Sequence, residues 1–297
     1  MNILVLIRVR IVFVKILKNR TLILISLLFL NIVFYYYAYS DGGKLKVVFL
    51  DVGQGDAIFI QSPTGNQLLI DSGNGVNILA KLGQAMPFFD RSIDAVLATH
   101  PDQDHIGGFP DILKFYKVGK YFQNGAVYST ATAKEVMENI SSKKIENIIL
   151  CRGMVLNIGG GAYQEILWPL ICDSDKKSSD TNSSSIVAKL VYGENSILFT
   201  GDAPQKTEKA LISLDPFSLK SDILKVGHHG SKNSSSEDFL RAVSSTEAVI
   251  SVGLKNSYGH PNIEVINQLK NIGEKISETS LLGNVVFYSD GMNIIKE

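Results

Sequence analysis

The segment Thr99-His100-Pro101-Asp102-Gln103-Asp104-His105-Ile106-Gly107-Gly108 follows the apolar run Ile93 to Ala98 and decides how the chain is read. The apolar run has the length and composition of a strand, and the histidines and aspartates come in the turn directly after it. Two imidazoles and two carboxylates within six residues can converge on a small volume, as a pair of adjacent cations requires. Gly107 and Gly108 let backbone pass close by. A solvated acidic turn would have no need of both histidines.

The chain holds five histidines in 297 residues, and the other three, His228, His229 and His260, also lie in Gly-rich turns after apolar runs. Asp202 ends a further run, Phe199-Thr200-Gly201-Asp202, where it can face a metal or cap a helix beginning at Ala203-Pro204. Strand-like runs recur through the body: LKVVFLDVG, DAIFIQ, NQLLIDSG, IVAKLVYG, SILFTGD, DILKVG, EAVISVG and NVVFYSDG, with a hairpin turn at Ser62 to Asn66. Helical patterns fall at residues 76–85, 107–117, 132–142, 204–213, 236–243 and 261–272, the last with Pro261 at its first position. No linker divides residues 41–297, which read as one α/β domain, a layered sandwich.

Residues 1–20 form a basic segment and residues 21–39 an uncharged apolar run ending in tyrosines. About 20 apolar residues span a bilayer's hydrocarbon core, so this run is expected to be a transmembrane helix. The positive charge before it places the N-terminus in the cytoplasm and the domain outside the cell, as a single-pass membrane protein. A secreted protein cleaved near Ser40 is the alternative. Residues 3–17, apolar but interrupted by charge, can lie on the inner membrane surface.

Five of the 29 basic residues lie in that first segment, so the remainder, with all 29 acidic residues, is net acidic by five. Bulk charge therefore excludes a nucleic-acid-binding protein of the polybasic kind. Lys225, Lys232 and Lys255, near the site turns, can hold phosphates or serve as solvated surface. Cys151 and Cys172 are read as two buried thiols, with a disulfide the alternative that export permits.

The segment from His100 to His105 resembles the H-x-H-x-D-H signature of the metallo-β-lactamase superfamily, with Asp102 in place of the second histidine. The ordered set DVGQGDAIFI, LLIDSGN, THPDQDHIGG, LFTGD, ILKVGHHGS and SVGLKNSYGHP resembles the extracellular hydrolase-like domain of ComEC-type competence proteins, from Leu45 to Gly291. The resemblance implies a four-layer αββα sandwich holding two divalent metals. His100 and Asp102 would ligate the first metal, Asp104 and His105 the second, Asp202 would bridge them, and His260 would close the second set. Of His228 and His229, one would face the scissile group as ligand or proton donor, and His229 is favoured for the metal side. Asp71 would orient the metal loop without binding metal, and Asp51 and Asp56 would serve around the Gly53-Gln54-Gly55 turn or simply form it. Thr181 to Ser185 stands where relatives carry a further histidine, leaving Asn182 as a supporting residue. The oxygen-rich set favours manganese, with zinc the alternative.

The function expected is a metal-dependent hydrolase, a phosphodiesterase or nuclease acting on DNA, single strands above all, with Asp104, His228 and His229 as catalytic residues. A link to DNA uptake through a separate channel follows from the resemblance, because one apolar segment cannot build a pore. A non-catalytic DNA-handling module with a degenerate metal site, or a β-lactam, thioester or lactone hydrolase on the same fold, are the alternatives. No oligomeric state is read.

Overall fold

The computed structural model describes residues 19–33, 43–126, 130–173 and 180–297. The chain forms two compact units, Met1–Gly42 and Gly43–Glu297. In the first, residues 19–33 are helical. No helix among the described residues is long and apolar enough to cross a membrane. Most of the basic segment, the tyrosine-rich end of the 21–39 run and Ser40 lie outside the described residues.

In the second unit the chain first lays down β1 (Leu45–Phe49), β2 (Ile58–Gln61), β3 (Gln67–Ile70), β4 (Ser92–Leu97), β5 (Lys117–Gln123) and β6 (Glu146–Ile149) side by side. It then builds a second sheet from β7 (Val155–Gly159), β8 (Ala162–Trp168), β9 (Val187–Tyr192), β10 (Asn195–Phe199), β11 (Ile223–Lys225), β12 (Glu247–Ile250) and β13 (Lys275–Glu278). Finally β14 (Val285–Ser289) and β15 (Ile294–Lys296) return to the first sheet beside β1. Strands β3 to β6 run parallel to one another, and so do β10 to β13, so each sheet gathers loops at the carboxyl ends of its parallel strands.

Alternation along the strands makes the layers. Val47, Phe49, Ile58, Ile60, Leu68 and Ile70 face a core shared with Ile197, Phe199, Ile223 and Val249 of the other sheet. Their neighbours Val48, Phe59 and Leu69 pack outward against α1 (Ile78–Ala85), α3 (Phe109–Phe115) and α4 (Ala131–Ser142); α2 (Gln103–Ile106) is a single turn inside the site loop. Leu198, Leu224, Ala248 and Ile250 pack outward against α5 (Gln205–Leu214), α6 (Glu237–Val243) and α7 (Ile263–Asn271). The result is the expected αββα sandwich.

Details depart from the sequence reading. Pro261 stands before α7 rather than in it; the cap is Asn262, whose side chain accepts from Glu264 N at 2.9 Å. Strands β5, β6, β8, β13 and β15 are not apparent in the sequence because lysines and glutamates punctuate them, as in KVGKYFQ and AYQEILW, and β7, VLNIG, is short and carries an asparagine and a glycine. Cys151 and Cys172 are joined in a disulfide, Cα atoms 5.1 Å apart, which corrects the reading as free thiols. Arg152 N donates to Pro169 O at 2.7 Å and lays the chain leaving β6 against the end of β8, bringing the two cysteines together.

Candidate metal centre

The site lies where the loops after β3, β4, β10 and β11 meet. Asp71 follows β3 with φ 55, a left-handed turn that aims its carboxylate back at the loop after β4. Thr99 N and Thr99 Oγ1 donate to its two oxygens at 2.8 and 2.7 Å, and His105 Nδ1 donates to Oδ2 at 2.8 Å. The His105 proton is thereby fixed on Nδ1 and Nε2 is left bare toward the interior. His100 Nδ1 lies 3.1 Å from Thr99 Oγ1, a hydroxyl already donating to Asp71, so it is the imidazole that donates and His100 Nε2 that is bare. Asp71 thus holds Thr99 and His105 together by three hydrogen bonds.

From the second sheet, β10 delivers Asp202 and β11 delivers His228 and His229. Asp202 does not cap α5, whose cap is Pro204; its backbone N–H donates to Ser185 Oγ at 3.2 Å and its carboxylate is free for the site. His228 and His229 are both left-handed, with φ 49 and 54, between Gly227 and Gly230. Successive non-glycine residues in that region store strain that the surroundings must hold. The turn splits the pair: His229 is 1% exposed and points inward, whereas His228 has a side chain 27% exposed at the rim.

The bare atoms converge. His105 Nε2 is 3.3 Å from Asp202 Oδ1, His229 Nε2 is 3.2 Å from Asp104 Oδ2 and 3.6 Å from Asp202 Oδ2, and His100 Nε2 is 3.9 Å from Asp202 Oδ2. His100 Nε2, His105 Nε2, His229 Nε2 and Asp202 Oδ1 are all buried without a hydrogen-bond partner. Orphaned buried polar atoms are expensive, and so many facing one another fit a cation held among them. The donor groups are His100, His105 and Asp202 on one side and Asp104, His105 and His229 on the other. Asp102 sits at the rim, Oδ2 3.6 Å from His100 Nε2 and accepting from Thr181 Oγ1 at 3.0 Å. The segment that lacks a histidine thus supplies hydrogen bonds: Asn182 Nδ2 donates to His228 Nδ1 at 3.4 Å. His260 is not among the converging donors. Its ring lies 5.7 Å from that of His228 and stacks on that of Tyr258, and its Nδ1 is buried without a hydrogen-bond partner.

The field is strongly negative. Burial works against charge on His105, but Asp202 and Asp71 outweigh it and hold its pKa well above the usual value. Burial likewise opposes the proton on His229, yet Asp202, Asp56 and Asp104 push it up to about 9. Burial alone would raise Asp202, and the surrounding imidazoles bring it well below the carboxylate range. A pocket that retains protons this firmly attracts dications, which displace those protons on binding. At the rim burial dominates and lowers both His228 and His260.

Two residues were not given their places by the sequence reading. Asp56 is 1% exposed, with Oδ1 3.3 Å from His229 Nδ1 and Oδ2 2.5 Å from Lys225 Nζ. Lys225 is wholly buried, so it neither holds substrate phosphates nor forms solvated surface. Parity along the strands held the signal: Lys225 is in step with Ile223, and Asp56 with Ile58 and Ile60, all on the face between the sheets. Asp51, by contrast, stays at the turn, accepting from Gly53 N at 3.2 Å and pairing with Lys81.

A sandwich of this layering with histidines and aspartates at the strand ends defines a metal-binding protein of the metallo-hydrolase fold. The family model "Metallo-beta-lactamase superfamily" matches residues 50–135 and 174–253, and the chain belongs to that superfamily. It is 36% identical over 197 residues to Competence protein ComA of Neisseria gonorrhoeae, covering 66% of this chain and 25% of that one. It is 31% identical over 218 residues to Recombination protein 2 of Haemophilus influenzae (71% and 25%), and 29% identical over 197 residues to ComE operon protein 3 of Bacillus subtilis (66% and 25%). The chain thus matches about a quarter of the length of these relatives. Among solved structures, the metallo-beta-lactamase fold protein YhfI of Bacillus subtilis aligns with TM-score 0.56 at 14% identity, covering 83% of this chain and 100% of that one. This last likeness concerns the fold.

Proposed function

We propose that the chain is a metal-dependent phosphodiesterase that cleaves DNA outside the cell, single strands above all. One observation carries the reading: three imidazole nitrogens and a carboxylate oxygen, buried and unpartnered, face one another at the strand ends. A module that only held DNA would have no use for so costly an arrangement. His100, Asp102 and Asp202 would hold one divalent cation, and Asp104, His105, His229 and Asp202 the other. When bound, the pair supplies an activated water and positive charge for the developing phosphorane. Manganese is our choice because carboxylates make up half of that donor set.

The chain's own residues do the rest. Asn182 donates to His228 Nδ1, which places the proton of neutral His228 on Nε2, 3.6 Å from Asp202 Oδ2 and open to solvent. That N–H can donate to a phosphoryl oxygen and pass its proton to the leaving oxygen. Asp71 and Thr99 hold the first-sheet loop rigid beneath it.

The printed names of the relatives, competence and recombination proteins, support DNA as the substrate, and uptake through a separate channel is the setting we propose for it. Membrane anchoring through residues 21–39 is part of the same proposal. Apolar side chains such as Leu24, Leu28, Phe29 and Leu30 are exposed on the 19–33 helix, as lipid contact requires. The Cys151–Cys172 disulfide fits an oxidising compartment.

The test is cleavage of single- and double-stranded DNA by the full chain, stripped of metal and resupplied with Mn²⁺, Mg²⁺ or Zn²⁺, beside Asp202→Asn. Metal-dependent cleavage lost in the variant is expected. Stoichiometric metal uptake without cleavage of DNA would overturn the substrate, and failure to take up metal would overturn the enzyme.

A further inference from the structure

Beneath the candidate metal centre a wholly buried lysine meets a buried carboxylate, and no step of the proposed reaction uses either. Lys225 is the last residue of β11 in the second sheet, and Asp56 stands two residues before β2 in the first. Lys225 Nζ lies 2.5 Å from Asp56 Oδ2, and this is the one ion pair found for Lys225 among the described residues. Both side chains point into the space between the sheets, so their contact ties one sheet to the other directly under the site.

The pair is also connected upward. Asp56 Oδ1 lies 3.3 Å from His229 Nδ1, the nitrogen that donates to Ser251 O at 2.9 Å, and Asp56 N donates to Asp104 O at 3.2 Å. His229 and Asp104 are in turn the two donors whose facing atoms lie 3.2 Å apart in the second metal's set. One residue, Asp56, therefore touches both the first-sheet and the second-sheet contributions to that set.

Charge explains why a lysine stands there. Asp56 Oδ1 is buried, unpartnered and close enough to Asp202 and His229 to count as a ligand group with them. Left with its full charge, it would offer a further oxygen to a cation and draw the ion down from Asp104. The ammonium of Lys225 neutralises it where it stands. The carboxylates that remain, Asp71, Asp102, Asp104 and Asp202, then balance the four positive charges of two dications.

We infer that Lys225 is a positioning residue: its ammonium acts as a fixed internal cation that holds Asp56 under His229 and keeps it out of the metal set, so that the second metal is held by Asp104, His105 and His229. A buried ion pair gives little stability over an apolar pair of the same volume, and placement is what it contributes.

The inference rests on the reading of the cluster as a two-cation site. The experiment is titration of the metal-free full chain with Mn²⁺, followed by calorimetry and by the electron paramagnetic resonance of free Mn²⁺, with thermal melting of each metal-free protein alongside. Wild type that takes up no Mn²⁺ removes the two-cation reading itself, before any variant is compared. With wild type binding two, Lys225→Met is expected to weaken the second Mn²⁺ at least tenfold, leave the first unchanged, and melt lower because Asp56 is buried without a counter-charge. Lys225→Met with Asp56→Leu replaces the pair by apolar side chains; it is expected to recover the melting temperature but not the second Mn²⁺, because the carboxylate that holds His229 is lost together with the competing charge, and it decides the matter if Lys225→Met alone fails to fold. Wild-type affinity for both ions in either variant overturns the inference. So does equal weakening of both ions, which would mark a general defect of the fold.

Discussion

Asp71 and His105 are joined at 2.8 Å across the loop that carries the metal signature, and the same carboxylate holds Thr99 by two further hydrogen bonds. One aspartate in a left-handed turn thus sets the tautomer of His105 and the position of the strand end from which His100 projects. The effect on metal expected of Asp71 is therefore an indirect one, through His105 and Thr99.

Asp71→Asn tests this cleanly, because asparagine tolerates φ 55 as well as aspartate does. The amide leaves His105 Nδ1 without its charged acceptor. Loss of such a partner commonly weakens metal about 10- to 100-fold. We expect that loss in Mn²⁺ or Zn²⁺ affinity with the circular dichroism spectrum unchanged; affinity within twofold of wild type would count against the orienting role.

His228 and His229 should part company when each is replaced. His229 is buried against Asp104 and Asp202, whereas His228 stands open at the rim. His229→Ala is expected to lower the number of bound metal ions. His228→Gln is expected to keep that number and reduce kcat by roughly 10²- to 10⁴-fold, the range for a positioned proton donor. Equal metal loss in both variants would make His228 a ligand as well.

The contrast between these two shows what the sequence could reveal. His100, Asp104 and His105 were legible because one short turn after a recognisable strand contains them all, and local spacing then dictates convergence. His228 and His229 are adjacent, and only two successive left-handed residues decide which turns inward. Asp56 and Lys225 are 169 positions apart, joined by sheet packing that no local pattern expresses, although strand parity placed each of them on the inner face. His260 comes into the neighbourhood with its ring 5.7 Å from that of His228, outside the groups formed by His100, Asp104, His105, Asp202 and His229.

The disulfide should matter to stability. Cys151 and Cys172 are 21 residues apart, and closing a loop of that size removes about 3 kcal/mol of freedom from the unfolded chain. Cys151→Ser with Cys172→Ser is therefore expected to lower the melting temperature by roughly 6–12 °C for a domain of this size. Melting that does not respond to the double replacement would mean the crosslink adds nothing beyond the hydrogen bond from Arg152 N to Pro169 O.

Glu274 gives the fold a pH dependence of its own, away from the metal centre. It is 6% exposed, accepts from Ser245 Oγ at 2.7 Å through Oε1, and has its other oxygen buried without a partner. Burial pushes its pKa up to about 7, with the Ser245 bond pulling weakly the other way. Between its ordinary carboxyl value, 4.5, and about 7 the folded protein holds a proton that the unfolded chain has lost, so this contribution to stability is full below that window. It is lost as pH rises through the window. Glu274→Gln keeps the acceptor for Ser245 and carries no charge to bury. Urea unfolding should show the variant gaining about 1–2 kcal/mol on wild type between pH 5 and pH 8, after allowance for partial solvation of the carboxyl. A stability difference that is the same at both pH values would show that Glu274 ionises as freely in the folded protein as in the unfolded chain.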